Sequence, residues 1–327
     1  MTHFRAYRNP DSPALADLWN RGLPDSALAR PINGHEFDAQ VVSKPTFESE
    51  GLIVAEREGK VVGFAHAGFG PDDPVGAVYQ LNYDLGTIGM LVVEPGNDDP
   101  EVADGLMVAA ETYLRERGAK VLYAGGQYPL NPFYWGLYGG SEWAGILSSH
   151  LGFLKAVQRA GYEPVSSTVL LEADLSSPEV RDPRSPLIKR QARVDIVEDI
   201  LPENWWQSLW IGDFRPTQYR LVAKADEREL ARATTWDMSW FGRRDGRAGI
   251  GLVAMEVGTS VRRKGYGRHL MVEILRHARS EMLSVVSLQT NSTNAPALAL
   301  YQSVGFQPVE TATLFRRPGA VDSPLLC

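Results

Sequence analysis

The sequence predicts an α/β protein built from two copies of one unit, and three observations carry that expectation. The chain has 327 residues, which at roughly 150 residues per domain is room for two. A similar order of strands and helices recurs in its two halves. Matching residues recur on either side of Ser176–Pro186, a proline-rich, charged stretch without apolar periodicity. The expected division is 1–175, a linker at 176–190, and 191–327.

The first half opens with a strand at Thr2–Tyr7 and a helix at Ser12–Asn20, with Ser12 as its cap and Pro13 at its first position. Gly51–Glu56 and Lys60–Phe69 are β-rich runs joined by Arg57-Glu58-Gly59, the pattern of a hairpin. Thr87–Val93 is an apolar strand ended by Pro95-Gly96. Glu101–Arg117 has helical spacing and stops at Gly118. A strand at Val121–Ala124, a helix at Gly152–Arg159 and a strand at Val165–Leu171 complete the unit. In the second half, strands are expected at Arg193–Val197, Tyr219–Ala223, Leu230–Trp240, Gly249–Val257, Val285–Thr290 and near Val309–Phe315. Helices are expected at Glu203–Trp210, Gly267–Glu281 and Asn294–Ser303.

The repeat can be read residue by residue. Leu106-Met107-Val108 matches Leu270-Met271-Val272, each thirteen positions after a strand-ending valine, Val93 or Val257. Arg159-Ala-Gly-Tyr-Glu-Pro-Val165 parallels Ser303-Val-Gly-Phe-Gln-Pro-Val309. The offset between halves falls from 164 to 144, so the first copy holds about 20 extra residues. They fall around Gly125–Trp143, a stretch with Tyr128, Phe133, Tyr134, Trp135, Tyr138 and Trp143.

Composition excludes several classes. Hydrophobic residues at 44% and charged residues at 22% are ordinary globular values, against disorder or a fibrous repeat. The longest apolar runs, Leu85–Val93 and Gly249–Val257, are strand-sized and short of the ~20 residues that span a bilayer. The N-terminus lacks the apolar core of a signal peptide. The single cysteine, Cys327, allows no disulfide framework, and six scattered histidines without an HExxH pair point away from a metal. A net charge of −7 disfavours nucleic acid and mildly favours cationic small molecules. A cytoplasmic, soluble, metal-independent monomer or homodimer is expected, with neither nucleic acid nor membrane as partner.

The most informative segment is Val257-Gly-Thr-Ser-Val-Arg262-Arg263-Lys264-Gly265-Tyr266-Gly267-Arg268, a strand running through a glycine-containing turn into a helix. Backbone N–H groups there can converge on an anion, helped by the positive end of the helix dipole. Gly265 and Gly267 remove Cβ atoms that would hold phosphate oxygens away, and Arg262, Arg263, Lys264 and Arg268 supply positive charge. The alternatives are a plain connection and a solvated basic surface. Neither GxxxxGK[ST] nor the third glycine of the dinucleotide fingerprint is present, since position 270 is Leu.

Arg262-x-x-Gly265-x-Gly267 after a strand resembles the R/Q-x-x-G-x-G/A acyl-CoA signature of the GNAT N-acetyltransferase superfamily. Asn294-x-x-Ala297-x-x-Leu300-Tyr301-x-x-x-Gly305-Phe306 resembles the second signature of that family. The likeness covers about Tyr219–Arg316, with the first half a diverged copy, and the tandem layout is similar to that of mycothiol synthase. It implies two tandem GNAT domains, each a mixed, mostly antiparallel sheet flanked by helices, with the second active.

The resemblance further implies acetyl-CoA as co-substrate, no metal, and an amine acceptor. The amides of Arg263, Lys264, Gly265, Tyr266, Gly267 and Arg268 would hold the CoA pyrophosphate. The backbone of Met255, Glu256 and Val257 would pair with the pantetheine arm, in a gap where that strand splays from Val285–Thr290. Asn294 would add a contact to that arm or serve only as an N-cap. Tyr301, two turns further on, would protonate the departing thiolate, with packing as the plainer role. Many relatives carry a Glu where this chain has Gly251. Glu256 and Asp237 are the carboxylates left to take the amine proton, beside a water relay. Strict alternation puts Glu256 on the face opposite 251, 253 and 255.

In the first copy Asp98-Asp99-Pro100-Glu101-Val102-Ala103 occupies the slots of Arg262–Gly267, His150 that of Asn294 and Val157 that of Tyr301. This half is expected to be catalytically silent, either structural or walling the acceptor site with its aromatic insert. Trp205, Trp206 and Trp210 carry the same choice between packing and acceptor contact. His269 and His277 are expected to be solvated or capping. A non-catalytic acyl-CoA sensor, and transfer to a thiol or hydroxyl, are the alternative functions.

Overall fold

The computed structural model describes residues 1–23, 29–74, 80–96, 100–131, 133–138, 140–142, 144–211, 214–239 and 242–319. Asp98, Asp99, Trp143, Trp240 and Cys327 lie outside them. The first half runs β1 (Thr2–Ala6), α1 (Ser12–Gly22), α2 (Gly34–Phe37), β2 (Leu52–Arg57), β3 (Lys60–Pro71), β4 (Leu81–Val93), α3 (Pro100–Glu116), β5 (Val121–Ala124), β6 (Ile146–Leu147), α4 (Leu151–Arg159) and β7 (Glu163–Asp174). The second half runs α5 (Ser185–Gln191), β8 (Ala192–Val197), α6 (Trp205–Ile211), β9 (Pro216–Ala223), β10 (Glu229–Asp237), β11 (Gly249–Val257), α7 (Tyr266–Ser280), β12 (Val285–Asn291), α8 (Ala295–Ser303) and β13 (Gln307–Arg316).

Local chemistry accounts for most boundaries. Arg57 pairs with Lys60 across Glu58 and Gly59, whose φ of 53° and 75° suit a two-residue hairpin turn. Helix α1 is capped one residue earlier than expected, at Asp11. Ser12 is instead buried, its hydroxyl bonded to Tyr7 and Asp38. The end of the proline-rich linker winds into α5, with Pro186 in its first turn, where a missing N–H costs nothing.

The described strands form one sheet in the order β1-β2-β3-β4-β5-β13-β7-β12-β11-β10-β9-β8, with β6 beside β13. Only β4–β5 and β11–β12 pair in parallel; the other neighbours are antiparallel. The two copies exchange their last strands. Strand β7 of the first half pairs along the full length of β12, from Val285↔Asp174 to Asn291↔Thr168. Strand β13 of the second half reaches β5 through Phe315↔Ala124. The exchanged strands also pair with each other, so the sheet crosses from one half to the other without a break.

Helices α3 and α4 cover one face of the first half, over Leu106, Ala110, Phe153 and Val157. Helices α7 and α8 do the same for the second half, over Leu270, Ile274, Leu288 and Phe306. The opposite face holds a core drawn from both halves, in which Trp19, Tyr134 and Tyr138 meet Trp206, Trp210 and Trp236. Burial of these aromatic surfaces, at roughly 25 cal/mol per Å², makes the two halves interdependent. A buried ion pair ties the segment after β10 to the exchanged strand: Arg243 Nη1 donates to Glu172 Oε1 at 2.6 Å, and Ser287 Oγ donates to the same oxygen at 3.1 Å.

The surroundings of the two histidines on α7 are set by the helix face that each occupies. His269 is buried with Nδ1 2.8 Å from Ser185 Oγ, and His277 Nδ1 lies 2.8 Å from the Tyr219 hydroxyl. His269 thus departs from the expected solvated role, while His277 keeps about a quarter of its side chain exposed.

Candidate active site

Strands β11 and β12 pair in parallel at only three positions, ending at Gly251↔Ser287. Beyond that point they splay, leaving the edge of β11 toward β12 without a strand partner. A cavity of about 490 Å³ lies along the gap, lined from β11 by Val253, Ala254 and Glu256 and from β12 by Gln289, Thr290 and Asn291. Its size is that of a small-molecule site.

The faces of β11 are not those that strict alternation predicts. Its register with β10 slips between Thr234↔Ala254 and Thr235↔Leu252, so Val253 is an extra residue. A bulge of this kind shifts the side-chain phase by one. Ile250 and Leu252 face the α7 core, and so do Met255 and Val257 beyond the bulge. Glu256 therefore shares the face of Gly251, which corrects the expectation that it points the other way. It lines the cavity, but its carboxylate is mostly exposed and paired with Arg232 Nη2 at 3.0 Å. Asp237, opposite Ile250 at the end of β10, is not among the cavity residues. Its carboxylate accepts from the Ser239 amide at 2.8 Å and the Ser239 hydroxyl at 2.5 Å.

The cradle lies where β11 runs into α7. Gly265 is the N-cap of α7 with φ of 91°, and Arg263 is also left-handed with φ of 65°. Such alternation turns successive amides toward one point. The first bond closing the helix runs from the His269 amide to the Gly265 carbonyl at 2.9 Å, so the amides ahead of it have no helical acceptor. Gly267 has a packing reason to be glycine as well. A Cβ there would lie 3.1 Å from Val257 Cγ2 and 3.4 Å from Met255 Cε, so it serves helix-on-strand packing.

The cations divide. Arg262, Arg263 and Lys264 are exposed, with Arg262 Nε donating to the Val257 carbonyl at 3.3 Å. Arg268 turns away to the Ser303 carbonyl at 2.6 Å, tying α7 to α8. Arg184, which the motif does not include, stands beside Gly265: its Nη1 is 3.3 Å from where a Cβ on Gly265 would lie. The free amides, the left-handed turn and the adjacent strand gap together fit a pyrophosphate with an extended amide-containing arm.

Asn294 caps α8, its side chain accepting from the Ala297 amide at 3.3 Å. Asn294→Ala is expected to cost about 1 kcal/mol of stability, measurable by chemical denaturation. Tyr301 is buried on α8, its ring 5.9 Å from that of Phe306. Burial, and then the nearby Glu142 carboxylate, push its phenol up to about 12. It is protonated at neutral pH.

The remaining wall comes from the first half. Gln127, Tyr128, Trp135 and Glu142 of the aromatic insert line the cavity opposite Asn204, Gln207 and Trp210. The Trp135 and Trp210 rings lie parallel with centroids 6.3 Å apart, and Tyr128 meets Trp210 edge-on at 4.5 Å. Trp206 is core, while Trp205 is part-exposed and packs on Trp206. Glu142 was not visible as a site residue in the sequence, because no motif surrounds it. It accepts from Gln289 Nε2 at 3.2 Å, and burial pushes its carboxyl up to about 8 against the opposing effect of that bond.

The equivalent gap in the first half is filled. Strands β4 and β5 part after Ile88↔Ala124, and the Asn131 carboxamide sits about where a side chain on Gly89 would go. Phe133 and Tyr134 pack beside it on His66, whose Nδ1 lies 2.9 Å from the Tyr134 hydroxyl. His150, in the slot of Asn294, is buried and bonded to the Tyr138 hydroxyl at 2.9 Å, and burial pushes it down to about 3. It is a neutral core residue. Val157 is core as well.

A splayed parallel pair, a left-handed amide turn at the next helix and a buried tyrosine thus stand together in the second half. The sequence model of the Acetyltransferase (GNAT) family matches residues 15–139 and 187–306, about three quarters of the chain, and the chain belongs to that family. It carries the tandem layout. A 58-residue segment is 45% identical to a mycothiol acetyltransferase from Acidothermus cellulolyticus, spanning 18% of this chain and 18% of that protein. The fold is similar to a tandem GNAT protein from the clavulanic acid biosynthesis pathway, with a TM-score of 0.68 at 15% identity, over 99% of this chain and 100% of that one. It is also similar to the glucosamine N-acetyltransferase region of a fungal multi-domain β-N-acetylglucosaminidase, with a TM-score of 0.69 at 16% identity. That match covers 97% of this chain and 38% of the fungal one. Among the described residues no helix is long and apolar enough to cross a membrane, and no cluster of three metal-ligating side chains occurs.

Proposed function

We propose that the protein transfers an acetyl group from acetyl-CoA to a primary amine of a small molecule or peptide, with the active site in the second half. The observation that carries this reading is the cavity at the splay of β11 and β12, continuous with the edge that leads to the α7 cradle. The amides of residues 263–268 would bind the pyrophosphate, and the free edge at Met255–Val257 would pair with the pantetheine amides.

The thioester then lies in the gap, and the acceptor enters from the side walled by Tyr128, Trp135 and Trp210. Holding both reactants there converts a bimolecular attack into a local one. Tyr301 gives its proton to the leaving sulfur. A thiol has a pKa near 8.5 and the Tyr301 phenol one of about 12, so the donor is fully loaded at neutral pH.

The test combines thiol release from acetyl-CoA, across a panel of primary amines, with calorimetry. Turnover with at least one amine, and one acetyl-CoA site per chain, are expected. Two sites of similar affinity would show that the filled gap of the first half opens to ligand. Binding without turnover of any amine would favour a sensor.

A further inference from the structure

We propose that Glu142, delivered by the aromatic insert of the first half, is the group that takes the proton from the attacking amine in the second half's active site. The proposal rests on the acetyltransfer reading above and assigns the base that reading leaves open.

Gly251 on β11 is crowded by the insert. A Cβ there would lie 2.7 Å from Ser141 Cβ, 2.7 Å from Met238 Sδ and 2.9 Å from Trp236 Nε1. No side chain fits on β11 at this point, because the insert already occupies the place. Trp236 Nε1 donates to the Ser141 carbonyl at 3.0 Å, fixing the insert's backbone against β10. The next residue along is Glu142, whose carboxylate receives Gln289 Nε2 from β12 and lines the cavity. Glycine at 251 and Glu142 are thus two sides of one arrangement: the carboxylate missing from the strand arrives beside it from the other copy.

The remaining carboxylates suit the role less well. Glu256 is ion-paired and exposed, and Asp237 is bonded to Ser239 outside the cavity. Glu203 lines the cavity but is exposed. The groups facing Glu142 are Gln289 on β12, Tyr301 on α8 and Tyr128 within the insert, while Arg232, across the cavity on β10, is held by Glu256. With burial raising it to about 8, Glu142 is matched to deprotonating an ammonium near neutral pH, and a bound cation favours its ionised form.

The ammonium gives one proton to the Glu142 carboxylate, and the freed nitrogen lone pair forms a C–N bond to the thioester carbon. The C–S bond breaks with its electrons on sulfur, which takes the Tyr301 proton. The second proton lost by the nitrogen restores Tyr301, and Glu142 releases its proton to solvent through the cavity.

The experiment measures kcat/KM against pH for wild type and Glu142→Gln, with acetyl-CoA and the fastest of tyramine, glucosamine, spermidine and lysine amide. Glu142→Gln is expected to lose about 10²-fold at pH 7. The deficit should shrink to about tenfold or less at pH 10, where much of the amine is already free base. Acetyl-CoA affinity by calorimetry should be unchanged, which reports the fold. A second variant, Gln289→Leu, removes the donor that favours the ionised carboxylate and should move the rise in kcat/KM to higher pH. A loss below about threefold in Glu142→Gln, an equal loss at every pH, or an unmoved profile in Gln289→Leu overturns the assignment. Wild type that binds acetyl-CoA but acetylates none of the four amines overturns the acetyltransfer reading instead, and this assignment with it.

Discussion

Gly265→Glu is expected to weaken acetyl-CoA binding by at least about 100-fold, close to 2.7 kcal/mol, while the chain stays folded. Two effects act together. The residue has φ of 91°, a conformation that costs a side-chain-bearing residue roughly 1–2 kcal/mol. The new carboxylate would also stand beside Arg184, where it would compete for that cation and oppose a diphosphate bound at the neighbouring amides. Gly265→Ala separates the two, since it has the strain without the charge. Its Cβ would lie 3.1 Å from Arg184 Cδ, a flexible side chain that can move aside. Calorimetry for affinity and circular dichroism for fold provide the readouts. Unchanged affinity in Gly265→Glu would place the pyrophosphate elsewhere.

Tyr301→Phe is expected to lower kcat by about 10²-fold or more and leave acetyl-CoA affinity within about twofold. The ring packs against Phe306 and is buried, so phenylalanine keeps the apolar contacts and removes only the hydroxyl. The proton to be lost lies on a phenol raised to about 12, so wild-type turnover should show no decline from its ionisation below about pH 11. Unchanged kcat would return Tyr301 to a packing role and move the proton donor to water.

Much of the fold, including the bend from β11 into α7, is legible in the sequence because its determinants are local. The strand Gly249–Val257, the hairpin at Glu58-Gly59 and the helix after Gly265 depend on side-chain alternation, a tight turn and an N-terminal bend. Each involves residues within a few positions of one another. The phase of β11 is not legible for an equally physical reason: one extra residue at Val253 reverses the faces, and nothing in Leu252-Val-Ala-Met-Glu256 distinguishes a bulge from a plain strand. The burial of His269 is not legible because Ser185, its partner, is 84 residues away.

The sequence by itself determined the repeat, the linker, the strand-to-helix bend and the pair of signatures that identify the family. Tertiary structure alone decided that the copies exchange strands β7 and β13, that the first copy's gap is plugged by its own aromatic insert, and that the same insert sets Ser141 on Gly251 and Glu142 beside the second gap. Turns, caps and alternation act over a few residues and leave a periodic trace. Ser141 and Gly251 stand 110 positions apart, and their contact follows from how the two halves of one continuous sheet close on a shared aromatic core, which no run of neighbouring residues records.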